Sequence, residues 1–317
     1  MVLKIYTFTS EEGLKKLERV QEIENYLSRY KVLWIDVRQP SEKELKFLYE
    51  KFGFKEPPKD EFEDIEISSR FAEGRDHIYV IFSFIIQSKE EVYAEPVLFF
   101  IKGKVLITLR YRRIPTFGMF KDFVRKRKLT FNFSDQIMAQ ILNLEVERIG
   151  NRLEIIGKRI RSIRKRIFEE QSPEIIKDLA YYDELNLTLR ESINEKQRLL
   201  QKLVRSTRLS TVTKRELKLI IEDLNSLSDY TTIYMEKIDS VQESLLGLIT
   251  IRQNEAAKIF ALIATLFLPA TLIASIYGMN FEYIPFLHNK FGFWISLFFM
   301  VSVTGGLLYL LKFKKLI

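Results

Sequence analysis

In a chain of which 29% of residues are charged, residues 259–277 carry no charge at all. About 20 apolar residues cross the hydrocarbon core as a helix, so this stretch is long enough to span a membrane. Its side chains are also sorted. Asn254, Ala257, Ala261, Ala264, Leu268, Thr271, Ser275 and Gly278 follow one another at alternating steps of three and four, which puts them on one helical face. Ile259, Leu262, Ile263, Leu266, Phe267, Ile273 and Ile276 occupy the other. A span that meets only lipid has no reason to segregate its small and polar groups. A helix that lines a path or a packed interface does.

A second uncharged span covers residues 291–311 and is followed by Lys312, Lys314 and Lys315. Arg252 and Lys258 flank the inner end of the first span, while the connecting loop offers only Lys290. The Lys/Arg bias therefore predicts a multi-pass protein of the cell membrane with both termini in the cytoplasm. The averages hide this division. The chain has 50 Lys+Arg against 42 Asp+Glu, a net charge of +8, but charge is dense to about Arg252 and nearly absent afterwards. There is no cysteine and only His77 and His288 as imidazoles, which argues against thiolate or histidine-rich metal sites.

The first span closes in Tyr277-Gly278-Met279-Asn280, shortly before the second begins. A Gly-Met-Asn triplet in that position, with Asn254, Pro269 and Thr271 upstream, resembles the CorA family of divalent-cation channels. The resemblance is tight over roughly the last seventy residues and looser before them. It implies a homopentameric funnel, with Gly278, Met279 and Asn280 as the outer selectivity site. Asn254 and Thr271 would be further polar rings in contact with the hydrated ion. Ala257, Phe260, Ala261, Ala264, Leu268 and Ser275 complete the expected pore lining, and Leu268 with either Ala257 or Phe260 would form the narrow collar. Glu282 would raise the cation concentration at the outer mouth. Lys312, Lys314 and Lys315 are either an inner basic collar or topology anchors.

The chemistry suits the residues. Mg²⁺ gives up its water reluctantly, so neutral oxygens such as the Asn280 carboxamide hold the hydrated ion through its shell. Gly-Asn is also a common helix C-cap. No cofactor is expected; Mg²⁺ enters as cargo and as regulator. No GxxxxGK[ST] pattern occurs, which argues against an ATP motor in this chain. Competing expectations are Co²⁺, Ni²⁺ or Zn²⁺ through the same pore, and a membrane-anchored coiled-coil scaffold. No constellation of an enzyme is legible.

Upstream, residues 1–130 read as a cytoplasmic α/β domain, with strands expected near 3–8, 32–37, 78–86, 92–101 and 105–109. Lys102-Gly103-Lys104 marks a hairpin, and Ser41 with Glu44 a capping box. The acidic run Asp60, Glu61, Glu63, Asp64 and Glu66 reads as a solvated face or, alternatively, a divalent-ion sensor; the regulatory site is otherwise unassigned. Residues 131–208 form a long antiparallel helix pair divided at Ser172-Pro173. The basic run at 158–166 lies on it and reads as a solvated face rather than a nucleic-acid site. Residues 209–253 make the stalk of the long helix, 254–280 the pore helix, 281–290 the external loop, and 291–317 the second span with its basic tail. Along the stalk, Leu217, Ile220, Leu224, Leu227, Thr231, Tyr234, Ile238, Val241, Leu245 and Leu248 keep a three-four repeat, a seam expected to drive assembly of copies.

Overall fold

The computed structural model describes residues 3–57, 70–87, 92–169, 173–280, 282, 284–285 and 289–313. Ser172, the acidic run at 60–66, Lys314 and Lys315 lie outside the described residues. Two compact units are present, Met1–Val241 and Gln242–Ile317. The boundary falls inside one continuous helix.

The first unit contains a seven-stranded sheet in the order β2-β1-β3-β7-β6-β5-β4. Its strands are β1 (Leu3–Thr9), β2 (Gly13–Leu17), β3 (Leu33–Arg38), β4 (Phe71–Glu73), β5 (Ile78–Gln87), β6 (Val92–Lys102) and β7 (Val105–Arg110). All neighbours pair antiparallel except β3 with β7, which are parallel. The β6–β7 hairpin turns at Gly103, whose φ of +53° is the left-handed region that glycine enters without steric cost. β2 escaped the sequence reading because Gly-Leu-Lys-Lys-Leu does not alternate. Gly13 has φ +70°, and a Cβ there would stand 2.6 Å from the Val124 carbonyl oxygen, so only glycine fits.

Helices α1 (Ile23–Arg29) and α2 (Glu42–Phe52) accompany one sheet face, and α3 (Pro115–Arg127) follows β7. The Ser41–Glu44 capping box forms in full and starts α2. Beyond α3 come α4 (Ser134–Glu169), α5 (Pro173–Arg205), α6 (Thr211–Tyr277) and α7 (Gly292–Phe313).

The sheet is joined to α4 and α5 through the backbone of β5. Strand β4 is short, and past Arg70, whose carbonyl accepts from Ile81 N at 2.8 Å, helix side chains replace a neighbouring strand. Glu195 accepts from Ser83 N at 3.1 Å, and Lys196 Nζ donates to the Ser83 carbonyl. One step on, Glu145 Oε1 accepts from Ile85 N at 3.0 Å, and Arg152 donates to the Ile85 carbonyl at 3.3 Å. Carboxylates thus meet the N–H groups and cations the carbonyls of an edge that would otherwise template another strand. Burial pushes the Lys196 ammonium below its ordinary value, while Glu195 and Glu145 pull it the other way.

The stalk seam has an occupant within the same chain, which corrects its expected use between copies. Leu217, Ile220, Leu224, Thr231, Ile238 and Val241 are buried. Gly150 and Gly157, one heptad apart on α4, leave room for Leu227 and Tyr234, one heptad apart on α6. Asn186 of α5 donates to the Thr231 carbonyl at 2.9 Å. The basic run is a solvated face: Lys158, Arg159, Arg161, Arg164 and Lys165 are exposed, with Ile160 and Ile163 turned inward.

Candidate ion pathway

Helix α6 passes through Pro269 and ends at Tyr277. Pro269 brings no N–H to the ladder. Nearby hydroxyls turn back on their own helix, Thr265 donating to the Ala261 carbonyl at 2.7 Å and Thr271 to the Phe267 carbonyl at 2.8 Å. With its proton committed, Thr271 Oγ1 presents only lone pairs outward, which suits a cation or the water around one.

The helix closes without a left-handed glycine, since Gly278 keeps a negative φ. Its N–H is shared between the Ala274 and Ser275 carbonyls at 3.0 and 3.1 Å, and Met279 N donates to Ile276 O at 3.3 Å. A Cβ at Gly278 would press on the Ala274 carbonyl oxygen at 3.3 Å. Gly278 therefore ends the helix without the left-handed conformation of a common glycine cap. Asn280 follows immediately, exposed, its carboxamide making no hydrogen bond within the described residues.

The second unit covers only part of α6. Leu262, Leu266, Pro269, Ala270, Ile273 and Tyr277 are half-buried, and α7 carries a matching stripe at Gly292, Ser296, Met300, Thr304, Leu307 and Leu311. At about 100° per residue the α6 stripe lies roughly 180° around the helix from the small and polar face. Every member of that face is exposed in the single chain: Asn254, Ala257, Phe260, Ala261, Ala264, Leu268, Thr271 and Ser275. Sequence reasoning set Leu262, Leu266 and Ile273 on the opposite face but did not separate them from Ile259, Ile263, Phe267 and Ile276, which stay exposed. Glu282 is exposed beyond the triplet, and Lys312 lies exposed in the last turn of α7. Among the described residues no group of three or more His, Cys, Asp or Glu is gathered to hold a metal ion.

Residues 30–315 match the family model described as CorA-like Mg²⁺ transporter protein. The chain belongs to that family. Membership places this CorA-like chain among transport proteins rather than enzymes. It is 33% identical over 315 residues to the magnesium transport protein CorA of Wolinella succinogenes, covering 97% of this chain and 98% of the relative. Against the magnesium transport protein CorA of Haemophilus influenzae, identity is 30% over 91% of this chain and 93% of the relative. The fold matches the complete structure of the CorA magnesium transporter from Methanocaldococcus jannaschii with a TM-score of 0.81, at 20% identity and 98% coverage of both chains. The full-length CmaX protein matches with a TM-score of 0.71 at 14% identity, over 100% of this chain and 97% of that one. Helices α6 and α7 are long and apolar enough to cross a membrane, which fits a membrane protein.

Proposed function

We propose that the chain is a Mg²⁺ channel of the cell membrane, assembled from five copies whose α6 helices line the path. The observation that carries this reading is the position of the small and polar face. It is exposed, lies opposite the half-buried stripe of α6, and ends at Gly278, Met279 and Asn280. One chain cannot enclose a path with it; a ring of copies can. The naming of the relatives as magnesium transport proteins supports the choice of ion.

In this reading Asn280 rings hold the hydrated ion by its water, and Thr271 and Asn254 repeat the contact further in. Leu268 with Ala257 or Phe260 narrows the path by dewetting. Lys312, in the last turn of α7, supplies the inner basic collar of this reading, where positive charge opposes cation entry. Membrane potential supplies the driving force. About 2.3 kcal/mol per charge per 100 mV gives ~4.6 kcal/mol for a divalent ion, on the order of a thousandfold accumulation. Such a gradient demands a brake, and cytosolic Mg²⁺ acting on the first unit is the proposed one.

The test is flux into liposomes that hold the purified chain and a Mg²⁺-sensitive dye, under a negative-inside potential. Influx that declines as internal Mg²⁺ rises is expected, and Asn280→Ala should abolish selective influx while the oligomer persists. Unchanged influx in that variant would remove Asn280 from the selectivity role. Influx of Co²⁺, Ni²⁺ or Zn²⁺ without Mg²⁺ would reassign the cargo.

A further inference from the structure

The parallel pair β3–β7 ends in a cavity of about 310 Å³ that the ion pathway does not involve. Its lining comes from Lys4 on β1, Asp36 and Arg38 on β3, Arg110 on β7, Arg113 in the following loop, and the first turns of α3. The register sets Lys4 opposite Asp36 and Arg38 opposite Arg110, so these four side chains leave the same face of the sheet. Lys121 of α3 reaches the same place.

Five cations therefore surround one carboxylate, and that carboxylate is fully engaged. Asp36 accepts from Arg110 Nε at 3.2 Å, from Arg110 Nη2 at 3.1 and 3.0 Å, and from Lys121 Nζ at 2.8 Å. Lys4, Arg38 and Arg113 are exposed, and no side-chain hydrogen bond or ion pair holds them among the described residues. Two further features shape the space between them. α3 opens with Pro115 and no capping side chain, and its first turn borders the cavity, with the Glu145 carboxylate meeting that turn at the Thr116 hydroxyl. Gly118 adds no wall, since a Cβ there would meet nothing within 4 Å. Beside the cavity, Gln39 holds φ +50° and donates its N–H to the Arg110 carbonyl at 3.1 Å, a left-handed non-glycine residue that fixes where Arg38 leaves the strand. In open sheets, ligands bind outside the carboxyl ends of parallel strands, which is this position.

We propose that this cavity is a binding site for a small polyphosphate anion, a diphosphate group either free or carried on a nucleotide. Its volume is at the lower end of the ~300–1,000 Å³ typical of small-molecule sites, which fits a compact anion. Arg38 and Arg113 offer planar forks to phosphate oxygens, and Lys4 a point charge. With Asp36 committed to Arg110 and Lys121, no carboxylate among the described lining residues is left to hold a divalent ion, so the chain's own side chains bind the anion directly.

The experiment is equilibrium dialysis of the full chain in detergent against radiolabelled pyrophosphate, at low salt and with EDTA. One site per chain is expected, weakening as salt is added. Arg38→Ala with Arg113→Ala, both at the exposed rim, should weaken binding at least tenfold while leaving helical circular dichroism unchanged. Equal binding by that variant, or wild-type binding no tighter than that of sulfate, would overturn the site. Glycerol phosphate, which carries the single phosphate of a lipid headgroup, should compete poorly; competition equal to that of pyrophosphate would overturn the polyphosphate assignment in favour of a headgroup. The readout involves neither ion flux nor a membrane, so its failure leaves the channel reading untouched.

Discussion

Glu145 is wholly buried, and its carboxylate is divided among three partners: Ile85 N at 3.0 Å, Arg148 at 2.9 Å, and the Thr116 hydroxyl. Nothing in the local sequence distinguishes it from the solvated acids of α4, because its role depends on a strand sixty residues away. Replacing it with leucine strands a backbone N–H and leaves Arg148 without its carboxylate, with only the Thr116 hydroxyl and the Ile85 carbonyl as partners. Glu145→Leu should cost about 3–5 kcal/mol, as for other broken buried pairs, and appear as a lowered melting temperature of the first unit. Asp36 is the second residue whose importance was illegible. Burial alone would raise its pKa, but Arg110 and Lys121 more than offset that and hold the carboxyl below its ordinary value. A carboxylate depressed on folding stabilises the fold above its unfolded pKa, near 3.8, and that contribution is lost as pH falls through the folded value. Melting temperature should therefore drop more steeply below pH 4 for wild type than for Asp36→Asn, which starts lower and has already lost the pair. Parallel curves would remove Asp36 as the source. What was legible in advance, the Ser41–Glu44 capping box and the end of α6 at Gly278-Met279-Asn280, is local to a helix end.

Helix α6 shows which part of an element a sequence reveals. Its three-four repeat was readable because periodicity is a property of one helix. The partner was not, since the same repeat serves a neighbour in the same chain or a second copy equally well. The structure answers with Gly150 and Gly157 of α4, whose heptad spacing matches that of Leu227 and Tyr234. Leu224 is fully buried in that seam, so Leu224→Ala should destabilise by about 2–5 kcal/mol, measured by thermal unfolding. The small and polar face behaves differently, being exposed throughout in the single chain. Thr271→Leu with Ser275→Leu should fold with unaltered helicity and yet lose most Mg²⁺ influx in the liposome assay. Full influx would favour a face that only packs, as a scaffold's would.

At the scale of the whole molecule, the two units make different demands for partners. The first unit uses its seam internally as far as Val241, and its buried side chains form a core of their own. The next turns of α6 lose that cover: Leu245 and Leu248 are half-buried, while Leu246, Ile249 and Ile251 are 63%, 40% and 55% exposed. A row of large apolar side chains next to charged Arg252 and Glu255 is outside the span that lipid would cover, and a monomer would leave it in water. Assembly is therefore expected to begin just beyond Val241 rather than along the whole repeat. Leu246→Glu with Ile249→Glu places like charges at each copy's contact without touching the core below Val241 or the triplet at 278–280. Native mass measurement in detergent should find a pentamer for wild type and mainly smaller species for the variant, with melting of the first unit unchanged. A variant that remains pentameric would mean that the membrane helices alone hold the copies together, and that the exposed turns after Val241 serve some contact other than assembly.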